Sequence, residues 1–174
     1  MNKAKLVEGN LTFTFIDFYN VEMFDESSKN PAGLRPVDIL AETTENLYFI
    51  EIKDFQHPKA TKKQRAKDEK MLTEKDEHEN LIFAIEMGGK IKDSLLRKFA
   101  EGYRYAKPVK YLLLINLDGL GTHERGRLKE KIRGHIPTGL NDNRFCKFTN
   151  ILFDLVNAEK LKSYGIVCAT NDAV

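Results

Sequence analysis

Eight residues, VKYLLLIN at 109–116, constrain the fold more than any other stretch of the chain. Positions 111–115 are all apolar, so a strand formed here must be covered on both faces. The run is far too short to cross a bilayer. It belongs at the centre of a sheet, with Pro108 marking its boundary, and the remaining chain must supply its neighbours and its cover.

Strand neighbours are visible upstream. LTFTFIDF at 11–18 alternates Leu11, Phe13 and Phe15 with Thr12, Thr14 and Ile16, the pattern of a half-buried strand. NVEMF at 20–24 is a second short strand, and DESSKNPAG at 25–33 has the composition of a loop. RPVDILAE at 35–42 reads as a strand with Pro36 at its tolerant start, TTEN as a turn, and LYFIEIK at 47–53 as the returning strand. Ile91, Leu95 and Phe99 recur every four residues between charged positions, which predicts an amphipathic helix whose start is blurred by Gly88 and Gly89. A helix over 124–133, stopped by Gly134 and Pro137, a strand at 150–156 and a short helix in AEKLKSY complete the order. This succession predicts one α/β domain over 1–174, a three-layer α/β/α arrangement with a central mixed sheet.

A chain of 174 residues with 41% hydrophobic content can bury such a core, and eleven Phe and six Tyr supply its bulk. MNKAKLVEGN lacks the apolar stretch of a secretory signal, and Cys146 and Cys168 have no metal-ligand spacing. The expectation is a cytoplasmic domain with no membrane partner. The net charge of +2 does not mark the molecule as a polyanion binder. The stretch KATKKQRAKDEK nonetheless concentrates Lys59, Lys62, Lys63, Arg65, Lys67 and Lys70 against two acids. It is either a solvated helix or loop, or an arm in which Lys62, Lys63 and Arg65 contact nucleic-acid phosphates.

The run LYFIEIKDF places Glu51 and Lys53 in an otherwise apolar strand. If 35–42 and 47–53 form a hairpin closed around Thr44 and Glu45, Glu42 faces Leu47, Leu40 faces Phe49 and Asp38 faces Glu51. Pro36 then lies across from Lys53, and all of these side chains share one sheet face. Directly opposed Cβ atoms lie about 4.5–5.5 Å apart, and like charges so placed repel. A divalent cation relieves that repulsion, since Mg²⁺ binds through one or two carboxylates plus substrate phosphate oxygens. Lys53, one pleat along, adds a positive charge that would orient or deprotonate a water and stabilise charge building on a phosphate.

With Pro36, Val37 and Asp38, then twelve intervening residues, then Glu51, Ile52 and Lys53, the chain resembles the PD-(D/E)xK nuclease superfamily over roughly residues 11–116. The resemblance implies a restriction-endonuclease-like core and a metal-dependent nuclease hydrolysing phosphodiester bonds in DNA. It implies Asp38 and Glu51 as ligands of Mg²⁺, with Mn²⁺ as substitute, the Ile52 main-chain carbonyl as a helper and Lys53 as the catalytic lysine. The wording VDILAETTENLYFIEIKDF is also similar to a group of uncharacterised bacterial proteins of this fold, which carry no established activity. Pro36 stands one residue further from the aspartate than the motif asks. Members commonly add an acid from an N-terminal helix; here Glu8, in a helix candidate KAKLVE, and Asp25 compete for that part.

Other constellations point elsewhere. His57, His78, His123 and His135 are scattered, Gly119-Leu120-Gly121 lacks the third glycine of a dinucleotide loop, and Cys146 sits in no nucleophile motif. Lys90 and Asp93 either face the site or cap a helix start, and the cap is the reading favoured here. The alternative function is a catalytically inactive nucleic-acid-binding or protein-interaction module on the same fold. DNA against RNA, endo against exo cleavage, and monomer against homodimer stay open.

Overall fold

The computed structural model describes residues 3–26, 33–73, 77–138 and 150–171. Cys146 and most of the 25–33 loop lie outside the described residues. Among the described residues eight strands form two sheets. Strands β1 (Lys3–Glu8), β2 (Leu11–Ile16) and β8 (Ile166–Thr170) make an antiparallel sheet in the order β1-β2-β8. Strands β3 (Asn20–Met23), β4 (Ile39–Glu42), β5 (Leu47–Asp54), β6 (Val109–Asn116) and β7 (Ile151–Val156) make a five-stranded sheet in chain order. That sheet is mixed: β3, β4 and β5 pair antiparallel, whereas β5, β6 and β7 run parallel. Parallel neighbours need crossovers. These are supplied by α1 (Lys62–Leu72) with α2 (Glu77–Ala100), and by α3 (Thr122–Arg133); α4 (Ala158–Leu161) and a 3-10 turn (Lys162–Tyr164) lead into β8.

β6 lies between β5 and β7, one strand off the centre the sequence suggested, and its period-two alternation divides the core. Tyr111, Leu113 and Ile115 join Leu40, Leu47 and Phe49 against Phe83, Met87, Ile91 and Leu95 of α2 and Leu128 and Ile132 of α3. Leu112 and Leu114 join Ile39, Ala41, Tyr48, Ile50 and Ile52 on the other face, against Phe13, Phe15 and Ile166. That second face therefore meets the small sheet, with Leu161 of α4 beside it, where the sequence suggested helices on both sides.

Three further expectations change. KAKLVE is β1, not a helix: its alternation lets Ala4 and Leu6 pack on the core while Lys3, Lys5 and Val7 face out. The strand expected over 35–42 is confined to Ile39–Glu42. The helix expected near Ile91 runs unbroken from Glu77 through Gly88 and Gly89, and Phe99 falls on its exposed side. Among the described residues no helix is long and apolar enough to cross a membrane.

Candidate functional site

The site lies where β4 and β5 meet α2. In the β4–β5 hairpin Glu42 pairs with Leu47, Leu40 with Phe49 and Ile39 with Ile50. Asp38 is the next residue back, just before the ladder begins. Its carboxylate replaces the missing rung: Oδ2 accepts the Ile52 N–H at 2.6 Å. The segment leading into Asp38 is fixed from α2. Ser94 Oγ accepts the Val37 N–H at 2.9 Å, Asp93 Oδ2 accepts the Arg35 N–H at 2.8 Å, and Lys90 Nζ donates to the Pro36 carbonyl at 3.1 Å.

Glu51 is fully buried beside Asp38. Lys53 Nζ lies 2.9 Å and Lys90 Nζ 3.2 Å from Glu51 Oε1; the short separations make these close ion pairs although neither has the angle of an aligned hydrogen bond. Oε2 is buried and accepts no hydrogen bond. Lys90 also stands 4.0 Å from Asp38 Oδ1, and Lys53 reaches Glu86 of α2 at 3.8 Å. Two acids and two ammonium groups thus share one pocket of the sheet face, with Glu86 at its rim.

The electrostatics follow from burial and crowding. Burial pushes Asp38 up to about 7, and the Glu51 charge adds to it, against the lowering effect of the Ile52 N–H and the two lysines. Burial alone would lower Lys53, but the charges of Glu51, Glu86 and Asp38 outweigh it and hold the ammonium above the ordinary lysine value. Tyr111, on the adjacent strand, is raised well above the usual phenol range by burial and by the same three acids, and donates to the Met87 carbonyl at 2.9 Å. Glu8 is raised by its own burial and then by the charges of Asp25 and Glu51, whereas neither Glu8 nor Asp25 is among the charges that shift Asp38.

Lys90 corrects the sequence reading. It lies in mid-helix and faces the site, and Asp93 ties down the backbone of Arg35, so neither caps a helix start. Glu86, one turn before Lys90, was not singled out; once the helix is known to be continuous, Glu86 and Lys90 at i and i+4 fall on one side of it. Lys62, Lys63 and Arg65 lie exposed in the first half of α1 and form no ion pair with Asp38 or Glu51. Gly119 adopts φ 83° and Gly121 caps α3, which makes GLG a turn.

The donor chemistry fits a hard divalent cation: two neighbouring carboxylates, one on β5 with an orphaned buried oxygen, the other just before β4 and raised by burial and then by its neighbour. No group of three or more His, Cys, Asp or Glu side chains converges as a metal site among the described residues. Compared with known proteins, the chain matches no family model, no curated protein and no solved structure.

Proposed function

We propose that this protein is a metal-dependent nuclease that hydrolyses phosphodiester bonds in DNA, built on a three-layer, restriction-endonuclease-like core of the PD-(D/E)xK superfamily. The observation that carries the reading is the convergence of Asp38, Glu51 and Lys53 on one sheet face, with a buried Glu51 oxygen left without a hydrogen bond. Asp38 and Glu51 would hold Mg²⁺ or Mn²⁺, with the Ile52 carbonyl as the resemblance implies. Such an ion supplies Lewis-acid polarisation of the phosphoryl oxygen and neutralises its charge.

The chain's own part is electrostatic and positional. Lys53 is held protonated by its acidic neighbours, so at neutral pH it acts as a fixed positive charge and not as a base. It is partly exposed, which leaves it able to meet a phosphate. Asp38 anchors on the Ile52 amide, which fixes the distance between the hairpin strands at the reacting centre. Lys90 keeps Glu51 compensated from the helix side.

The test uses plasmid, linear and branched DNA with Mn²⁺ or Mg²⁺. Lys53→Ala should fold and bind metal yet lose about 10²–10³ in rate, the usual effect of removing one positioned electrostatic stabiliser. Lys53→Arg should rescue poorly, because a planar fork does not reproduce a compact ammonium. Cleavage at the wild-type rate by Lys53→Ala or Glu51→Ala would sink the assignment.

One observation favours a second reading. Both lysines already compensate Glu51, and no third acid completes a metal cluster among the described residues. An inactive nucleic-acid-binding module on this fold would keep such a cluster for architecture. It predicts salt-sensitive DNA binding without metal, and specific Mn²⁺ uptake abolished by Asp38→Asn would count against it.

A further inference from the structure

α2 is buried along one side only. Phe83, Met87, Ile91 and Leu95 enter the core, whereas Ile82, Ile85, Leu96 and Phe99 are 46%, 51%, 54% and 62% exposed. With half-buried Gly89 and exposed Lys92 between them, the row runs through positions 82, 85, 89, 92, 96 and 99. Those steps alternate three and four, the spacing of a helix–helix seam. The seam runs for about 25 Å along the helix. Single exposed apolar residues are ordinary, but an aligned row of them marks a contact surface.

Gly89, near the seam's midpoint, has no explanation among the described residues. Nothing lies within 4 Å of where its Cβ would stand, and its φ is not positive. Gly88 is different: a Cβ there would meet His135 at 2.5 Å. A glycine in a helix interior costs about 1 kcal/mol relative to alanine, so the gap at Gly89 calls for something outside the chain to fill it.

We propose that this face of α2 packs antiparallel against α2 of a second copy of the chain. The seam is self-complementary on reversal. Ile82 then faces Phe99 of the second copy, Ile85 faces Leu96, and Gly89 faces Lys92. The lysine stem lies over the glycine gap, and Glu86, one turn from Gly89, presents the opposite charge. Among the described residues Lys92 forms no ion pair, and Glu86 is half exposed. A parallel pairing would instead set Lys92 against Lys92 and leave a void between two glycines. The antiparallel pairing is two-fold symmetric and closes on itself. One helix pair falls below the roughly 800 Å² per partner of a standard interface, so the dimer is reversible and concentration-dependent. This surface does not depend on the nuclease reading, although Glu86 brings it to the rim of that site.

Sedimentation of the full chain over a concentration series tests it. Wild type should pass from monomer to dimer, and Ile85→Glu or Leu96→Glu should weaken association about 30-fold or more without changing the thermal midpoint of the monomer. Gly89→Ala should separate the two effects, raising monomer stability while weakening the dimer. In a background lacking Cys146 and Cys168, Ile85→Cys and Leu96→Cys chains should cross-link when mixed and not alone. A wild-type monomer at every concentration, or self-cross-linking of Ile85→Cys, overturns the proposal. So does a wild-type monomer destabilised by Ile85→Glu, because the chain itself would then cover the seam.

Discussion

A carboxylate with no exposed surface is costly to bury unless opposite charge is held close to it. Glu51 has two such partners on the same oxygen, Lys53 from its own strand and Lys90 from α2. Either alone keeps Glu51 compensated, so Lys53→Met and Lys90→Met should each be tolerated. Together they leave a buried charge with no counter-ion, a change that costs about 3–5 kcal/mol. Urea denaturation of the two single variants and the double should therefore show strong non-additivity, and adding Glu51→Gln should recover most of the loss. Additive costs would mean that Glu51 is not held by this pair. At this scale the sequence carried half of the site. The short TTEN turn set the hairpin register, which put Asp38 beside Glu51 and Lys53 on the same face. Lys90 was one of two residues that could face the site, but the cap was preferred, because only the phase of an uninterrupted helix turns it inward.

The two adjacent glycines of α2 look alike in sequence and play opposite parts in the fold. Gly88 lets α2 close on the chain after α3: a Cβ there would stand 2.5 Å from His135 Cβ and 2.7 Å from its carbonyl oxygen. Gly88→Ala should consequently destabilise the protein by about 1–3 kcal/mol, the usual cost of overpacking, despite alanine's better helix propensity. Thermal unfolding of the variant checks the sign; a gain in stability would show that α2 and the His135 segment are free to separate. The same pair explains why the helix start was illegible, since two glycines read as a break unless the packing that needs one of them is known. KAKLVE was misread because six residues fit either period, and only β2 alongside it decides for the strand. Elements with an unambiguous pattern, β2, β6, α3 and β7, appeared where their residues placed them. The small sheet over the second face was not legible, because β8 returns to β2 from the far end of the chain.

For the whole molecule, the burial of Asp38 makes stability depend on pH, and under the proposed function on a divalent cation as well. Asp38 has an ordinary value of 3.8 and is raised to about 7 by burial and by Glu51, so the folded chain holds its proton more tightly than the unfolded chain. The stability linked to that proton is complete below about pH 4, falls as pH rises toward 7, and is absent above it. Asp38→Asn keeps an oxygen for the Ile52 amide but removes the titration, so the stability difference between variant and wild type should grow across that interval and level off beyond it. A divalent cation competes with the same proton, because its ligands must be ionised. Mn²⁺ should therefore raise the unfolding temperature more at pH 8 than at pH 6. At a hundred-fold excess over its dissociation constant the gain is about 2.7 kcal/mol, or roughly 5–10 °C for a chain of this size. Asp38→Asn and Glu51→Gln should each lose most of that shift, whether or not the protein cuts DNA. Differential scanning calorimetry at the two pH values, with and without Mn²⁺, makes the measurement. An equal rise in both variants would place any bound ion elsewhere on the molecule and leave Asp38 and Glu51 as an architectural pair held by their lysines.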